Sequence, residues 1–314
     1  MPTELPPPLA DLFASRAGVA TFDEVRSVYR GDLVGLLAHG GLVRPTRRLL
    51  VAPSLTTALT PLRMALARSD SAVASDETAA VLWGADGYGL REERARSALA
   101  RPQVTLLPGR TAPGCVCHQT DDLWAHELAS VHGVPCTDPA RTLCDLGRVA
   151  SPDLVERVLE WALRNDQTSV KHLEVTIDRI RRHGRRGPGV LAALLDRRGA
   201  RTPPTESDAE TVFLQATRRP GQPEPIRQRP VAGPDGSSYR VDFAFEMPWL
   251  PAPVWVEIDG LATHTGRDAL ISDLHRQNAL MRVRPVLLRF TSADVYRHPA
   301  YVRQETWRHL TIRT

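Results

Sequence analysis

Apolar and polar positions along the chain divide it into three blocks of different texture. In the first, Leu9, Leu12 and Phe13 recur at helical spacing in Leu9–Arg16, which predicts an amphipathic helix. Thr21 stands just before a second apolar-periodic run, Phe22–Tyr29, where a hydroxyl caps the first free amides of a helix. A third helix is predicted over 31–39, stopped by Gly40-Gly41, and Leu42–Val51 reads as a short hairpin with its turn near Pro45-Thr46. Three short helices followed by a hairpin make a winged helix-turn-helix plan over residues 5–53.

The second block, residues 56–200, carries longer helical patterns around a few short β-type runs. Ser75–Gly84 reads as a capped helix stopped by glycine, and Val104–Leu107 and Val116–His118 as strands of a small sheet. Thr137-Asp-Pro139 and Ser151-Pro-Asp153 each place a capping residue before a proline suited to a first helical turn. A mainly helical α/β domain is expected. The Pro203-Pro204 pair marks a boundary, and residues 203–314 then read helix, strand, strand, helix, strand, helix.

In that last block a helix is expected from Thr205 or Ser207 to about Arg218, with Glu206 and Glu210 sharing one face. Two strands follow with period-two alternation. Val241, Phe243 and Phe245 point one way in the first, leaving Arg240, Asp242 and Ala244 on the other side; Val254, Val256 and Ile258 oppose Trp255, Glu257 and Asp259 in the second. If the two pair as a hairpin, Asp242, Glu257 and Asp259 share a face. Carboxylates inside β-branched and aromatic runs sit where a strand favours apolar residues. Hard cations such as Mg²⁺ or Mn²⁺ take such oxygen ligands, and an ion so held can activate water and stabilise charge on a phosphoryl group.

Composition adds four constraints. A length of 314 residues with 42% hydrophobic content allows two or three packed domains. The net charge is +4, and of 40 basic residues only Lys171 is a lysine, so any role needing a lysine falls to that residue. Cys115, Cys117, Cys136 and Cys144 lack paired Cys-x-x-Cys spacing and read as free thiols. No run has the character of a signal peptide or the length of a membrane span, so the expected setting is the cytoplasm. The arginines cluster suggestively. Arg44, Arg47 and Arg48 fall on the wing, and Arg182, Arg185 and Arg186 lie in a glycine-containing basic stretch; guanidinium forks suit phosphate backbones. The alternative readings of the same charges are a solvated arginine turn for the first group and a solvated helix end with linker for the second.

Residues 203–312 resemble the very-short-patch-repair-like endonuclease family of the PD-(D/E)XK superfamily. The resemblance rests on Ser207-Asp-Ala-Glu210, Val241-Asp-Phe243, Glu257-Ile-Asp-Gly260, His264, Asp273-Leu-His-Arg276 and Leu287-Leu-Arg-Phe290. It implies a restriction-endonuclease-like mixed sheet flanked by helices, hydrolysing duplex DNA, with Asp242 and Glu257 as Mg²⁺ or Mn²⁺ ligands and Glu210 nearby. Asp259 occupies the place of the superfamily's lysine. His264 is then the substitute for proton transfer, with Asp273 and Arg276 organising the site or reaching the scissile phosphate. The Val283-Arg-Pro285 segment departs from the family's Gly-aromatic before the last core strand. The first two blocks are similar to AbiEi-type antitoxins, on Ser75–Gly84 and Gly133–Leu146. That similarity implies promoter-DNA binding and keeps open a non-catalytic regulator or type IV antitoxin-like protein with a degenerate nuclease fold.

Overall fold

A computed structural model describes residues 4–69, 71–181, 186–232, 238–260 and 285–310, those at 186 and 238 by backbone alone. The protein is mixed α/β, with three sheets among the described residues, and divides into two compact units: Met1–Val158 with Thr168–Leu194, and Leu159–Gln167 with Leu195–Thr314. No helix among the described residues is long and apolar enough to cross a membrane.

The first unit begins with α1 (Pro7–Ser15), β1 (Val19–Thr21), α2 (Phe22–Val28), α3 (Leu33–Ala38), β2 (Val43–Thr46) and β3 (Leu49–Val51), the strands ordered β1-β3-β2. Leu9, Phe13, Val25, Leu33, Leu36 and Leu50 bury together as its core. Thr21 caps α2 as expected: its hydroxyl accepts from Glu24 N at 3.2 Å while the Glu24 carboxylate accepts from Thr21 N at 2.8 Å. The hairpin turn lies two residues later than the sequence suggests. Thr46 pairs with Leu49, leaving Arg47-Arg48 as the two-residue turn.

The same unit continues with α4 (Thr60–Leu66), β4 (Val73–Ala74), α5 (Asp76–Trp83), α6 (Glu93–Ala100), β5 (Gln103–Leu106), β6 (Val116–Gln119), β7 (Leu128–Val131), β8 (Val134–Thr137), α7 (Pro139–Val149), α9 (Val170–Ile180) and the starts of α8 (Pro152–Arg164) and α10 (Arg186–Arg198), whose ends belong to the second unit. Its five-stranded mixed sheet runs β6-β5-β4-β8-β7. Asp138 caps α7 through Arg141 N at 2.7 Å, and Gly84 closes α5 at φ +68. Ser75, expected as the α5 cap, makes no cap bond. Its hydroxyl donates to Asp76 Oδ2 at 2.8 Å instead. The backbones of α7 and α10 approach so closely that a Cβ on Gly187 would lie 2.1 Å from the Cys144 carbonyl oxygen.

The second unit holds α11 (Asp208–Thr217), β9 (Ile226–Ala232), β10 (Ser238–Phe245), β11 (Val254–Asp259), β12 (Val286–Thr291), α12 (Ser292–Arg297) and α13 (Pro299–Leu310). Its sheet runs β12-β11-β10-β9, antiparallel except for the parallel pair β11 and β12. Phe213, Phe243, Phe245, Val254, Val256 and Phe290 form the main core on one face, and Val231, Ala244 and Trp255 pack in a second cluster. Val241 joins Ala244 and Trp255, not Phe243 as alternation predicts. The period-two pattern of β10 therefore breaks at Asp242.

One carboxylate ties this unit together. Glu160, 1% exposed and carried by the last turns of α8, accepts from Arg198 Nε at 3.1 Å, Arg227 NH1 at 2.7 Å and Thr205 N at 3.1 Å. Removing one partner of a buried ion cluster leaves the others charged and unpaired, at a cost of about 3–5 kcal/mol. Glu160→Ala in the full chain is accordingly expected to lower unfolding free energy by about that amount in urea denaturation. A loss below about 1 kcal/mol would show that the cluster is not the anchor of the unit.

Candidate functional site

The carboxylates predicted to work together come from α11, β10 and β11. Pairs Val241 with Arg229 and Phe243 with Arg227 on β9, and Phe243 with Val256 on β11, set Asp242 in register beside Gln228 on one side and Glu257 on the other. Asp242 drops out of both ladders: pairing with β11 ends at Phe243, and pairing with β9 skips Asp242 and resumes at Val241. Asp242 turns its carboxylate toward β11, where Oδ2 accepts the Ile258 amide at 2.7 Å. On β9, Gln228 takes up a left-handed φ of 52, a costly state for a residue with a long side chain. Strain, an interrupted ladder and a half-buried acid thus coincide.

Glu210 reaches the same neighbourhood from the first turn of α11. Its carboxylate accepts from Glu206 N at 2.8 Å, Ser207 Oγ at 3.0 Å and Gln228 Nε2 at 2.9 Å. Glu206 itself stands before the Ser207 cap, outside the helix, and pairs with Arg240. The expected shared helical face of Glu206 and Glu210 is therefore absent. What links them is the cap, in which one glutamate's carboxylate receives the other's amide. Burial pushes the Glu210 carboxyl up to about 7, with the charge of Asp242 adding to the effect and the hydrogen bonds from Glu206 and Ser207 opposing it.

Glu257 and Asp259 do share a face of β11, and they meet a cation that spacing arguments overlooked. Arg289, register partner of Glu257 on β12, forms a two-pronged pair with Asp259 at 2.8 and 3.0 Å and lies 3.8 Å from Glu257. Its position inside the apolar run Leu287–Phe290 was the available signal. His264, Asp273 and Arg276 lie outside the described residues.

Among the described residues no three His, Cys, Asp or Glu side chains form a group able to hold a metal ion. The donor chemistry nevertheless suits a hard cation. Carboxylate oxygens of Asp242, Glu257 and Glu210 are of the right type, and the Gln228 Oε1 is a buried oxygen with no hydrogen-bond partner. Such orphaned oxygens are rare in folded proteins. Sequence reasoning missed Gln228, since a polar residue in the Arg227–Pro230 run carries no strand signal.

The predicted nucleic-acid contacts divide. Arg44, Arg47 and Arg48 are exposed on the β2–β3 hairpin, with Arg44 lying over the Phe22 ring at 5.0 Å and donating to Arg47 O at 2.7 Å. Arg182 and Arg185 fall outside the described residues, and Arg186 opens α10 with its side chain undescribed. Arg179 and Arg198, from the same basic region, face inward. Arg179 pairs with Asp122 at 2.6 Å and with Glu127, and Arg198 with Glu160. The α3 helix, Leu33–Ala38, carries no basic residue.

No family model matches the chain. Two uncharacterized proteins from strains of Mycobacterium tuberculosis are similar to it, each 28% identical over 275 residues, 87% of this chain and 93% of the relative. The similarity therefore spans both compact units.

The Glu210 shift has a testable sign. In metal-free protein the folded state holds the Glu210 proton more tightly than the unfolded chain, so ionisation costs stability as pH rises from about 4.5 to about 7. Carboxyl-carbon NMR is expected to show its midpoint near 7, and Asp242→Asn is expected to lower that midpoint. An unshifted midpoint in Asp242→Asn would place the two carboxylates too far apart to act together.

Proposed function

We propose that this chain is a cytoplasmic DNA-binding protein whose second unit is a metal-dependent endonuclease-like domain that hydrolyses DNA phosphodiester bonds. The observation that carries the reading is the broken ladder at Asp242, which turns one acid toward β11 beside Glu257 while Glu210 feels its charge. In this reading Asp242, Glu257 and Glu210 hold Mg²⁺ or Mn²⁺. The ion, when bound, makes a water a better nucleophile and offsets negative charge gathering on phosphorus. His264 accepts the proton of the attacking water. Asp273 and Arg276 organise the site, or Arg276 serves the scissile phosphate, an anion that guanidinium recognises well. Asp259 steadies the end of β11 through Arg289. The wing arginines Arg44, Arg47 and Arg48, with Arg182, Arg185 and Arg186, contribute backbone contacts to duplex DNA.

A specific observation favours a second reading. Arg289 already supplies positive charge to Glu257 and Asp259, the service an ion would perform. A type IV antitoxin-like regulator with a degenerate nuclease fold would carry such a guanidinium as a permanent substitute, since fold does not fix function.

Incubating the protein with supercoiled plasmid in Mg²⁺, in Mn²⁺ and in chelator separates the two. Nicking or linearisation is expected with metal only, and to be lost in Asp242→Ala and Glu257→Ala. Cleavage that survives both substitutions sinks the site; no cleavage in any metal, with a shifted promoter fragment, selects the regulator. Binding itself is expected to weaken with salt. Replacing Arg47 and Arg48 together by alanine should reduce the slope of log K against log salt by about 2, uniformly across sequences.

A further inference from the structure

The second unit carries a basic cavity of about 330 Å³, lined among the described residues by Arg218, Arg219, Arg303, Gln304 and Trp307. Arg218 is the C-terminal cap of α11, whose first turn carries Glu210. At about 1.5 Å per residue the two stand roughly 12 Å apart along the helix axis. The cavity is therefore separate from the carboxylate constellation.

Helix α13 supplies the rest of the lining. Arg303 and Trp307 are four residues apart on it and share one face. The Trp307 indole donates to Thr217 O, the last residue of α11, at 3.2 Å, which fixes the ring against that helix. Arg219 lies over the ring, with its guanidinium carbon 4.6 Å from the centroid. Stacking on an indole holds a guanidinium in one orientation, and its five N–H groups remain in its plane to donate.

The three arginines differ in what already occupies them. Arg218 donates from Nε to Glu224 at 2.8 Å and is mostly buried. Arg219, Arg303 and Gln304 are exposed, and neither Arg219 nor Arg303 pairs with an acid among the described residues. A helix C-terminus attracts cations, which accounts for Arg218 and Arg219 beside the end of α11. It does not account for Arg303, which stands in the first half of α13. Guanidiniums gathered at one small cavity repel one another, and a bound anion relieves that repulsion.

We propose that this cavity holds the phosphate backbone of a nucleic acid, with Arg219 and Arg303 donating to backbone oxygens and Arg218 adding charge. Forked donors match phosphate oxygens, and no carboxylate is part of the lining. A protein partner would need a pocket for an apolar or aromatic anchor, whereas Trp307, the apolar side chain of the lining, already has Arg219 over its ring. Backbone contacts of this kind carry no base information. The proposal rests on the reading of this chain as a DNA-binding protein and is independent of cleavage.

The test is fluorescence anisotropy of a short labelled DNA duplex titrated with the full chain, in chelator so that no cleavage intervenes, over a series of salt concentrations. Arg219→Ala with Arg303→Ala is expected to weaken binding about tenfold near physiological salt and to lower the slope of log K against log salt by about 1 to 2, whatever the duplex sequence. Arg201→Ala with Arg297→Ala removes the same charge from exposed positions of the same unit outside the cavity, and is expected to leave both quantities near those of the parent. Circular dichroism checks that each variant is folded. Should the cavity pair fail to fold, Arg303→Ala alone, which breaks no ion pair among the described residues, is expected to lower the slope by about 1. The proposal is overturned if the folded cavity variant binds duplex as the parent does, or if the control pair weakens binding equally. It is overturned in the same way if the variant loses only binding to phosphatidylserine-containing vesicles or to polyglutamate. A parent that binds no duplex at all sinks the DNA-binding reading as well; a parent that binds duplex but never cleaves it, with binding weakened in the cavity pair alone, supports the proposal and removes only the nuclease.

Discussion

The second unit depends on a single buried negative charge. Glu160 collects two guanidiniums and a backbone amide from three separate stretches, at Arg198, Thr205 and Arg227. Desolvating a carboxylate costs several kcal/mol unless its partners are close and its lone pairs filled. Here both conditions hold. Once Arg227 is fixed, β9 is fixed, and the next residue, Gln228, must turn through its left-handed φ to continue the strand. That turn delivers the Gln228 amide to Glu210. The carboxylate constellation is therefore placed by an ion cluster, and apolar packing alone would leave β9, an edge strand with Pro230, poorly specified.

The first three helices and the hairpin after them were legible because their signals are local. Thr21 and Glu24 form a box within four residues, and the apolar spacing of Leu9 and Phe13 reports a helix directly. The turn at Arg47-Arg48 was placed two residues early because Pro45 is a strong turn signal, yet it is accommodated within β2 beside the bulge between Val43 and Thr46. The strands β4, β7, β8 and β9 were missed for a different reason. They are two to seven residues long, and in β9 the Arg-Gln-Arg-Pro run hides the alternation. Their identity comes from partners distant in sequence, which no local pattern contains.

Within the candidate site, grouping on one face was readable for Glu257 and Asp259, because β11 keeps strict alternation. It was misread for Asp242, because alternation assumes an unbroken pleat. Arg289 illustrates the same limit from the other side. It reaches the acids only through parallel pairing of β12 with β11, a long-range contact. A search for a lysine near the acids correctly found none, but it could not find the arginine that the sheet brings in.

Charge placement also bears on how the first unit meets nucleic acid. In the proposed function α3 would serve as the recognition helix, yet its Leu33–Ala38 sequence offers no side-chain donor or acceptor to a base edge, and Val34 is 75% exposed. Base readout in the major groove needs hydrogen bonding from side chains, with methyl contacts to thymine as the apolar exception. Exposed cations stand on the β2–β3 hairpin, where Arg44 is preorganised over Phe22. Phosphate contacts from such a hairpin position a protein without reading sequence. Specificity, in the proposed function, must then come from elsewhere in the chain or from the shape of the DNA. The inward-facing Arg179 and Arg198 cannot supply it, since their charges are consumed by Asp122, Glu127 and Glu160. An arginine-rich sequence is thus a poor guide to a basic surface: part of the positive charge in this chain serves as internal mortar.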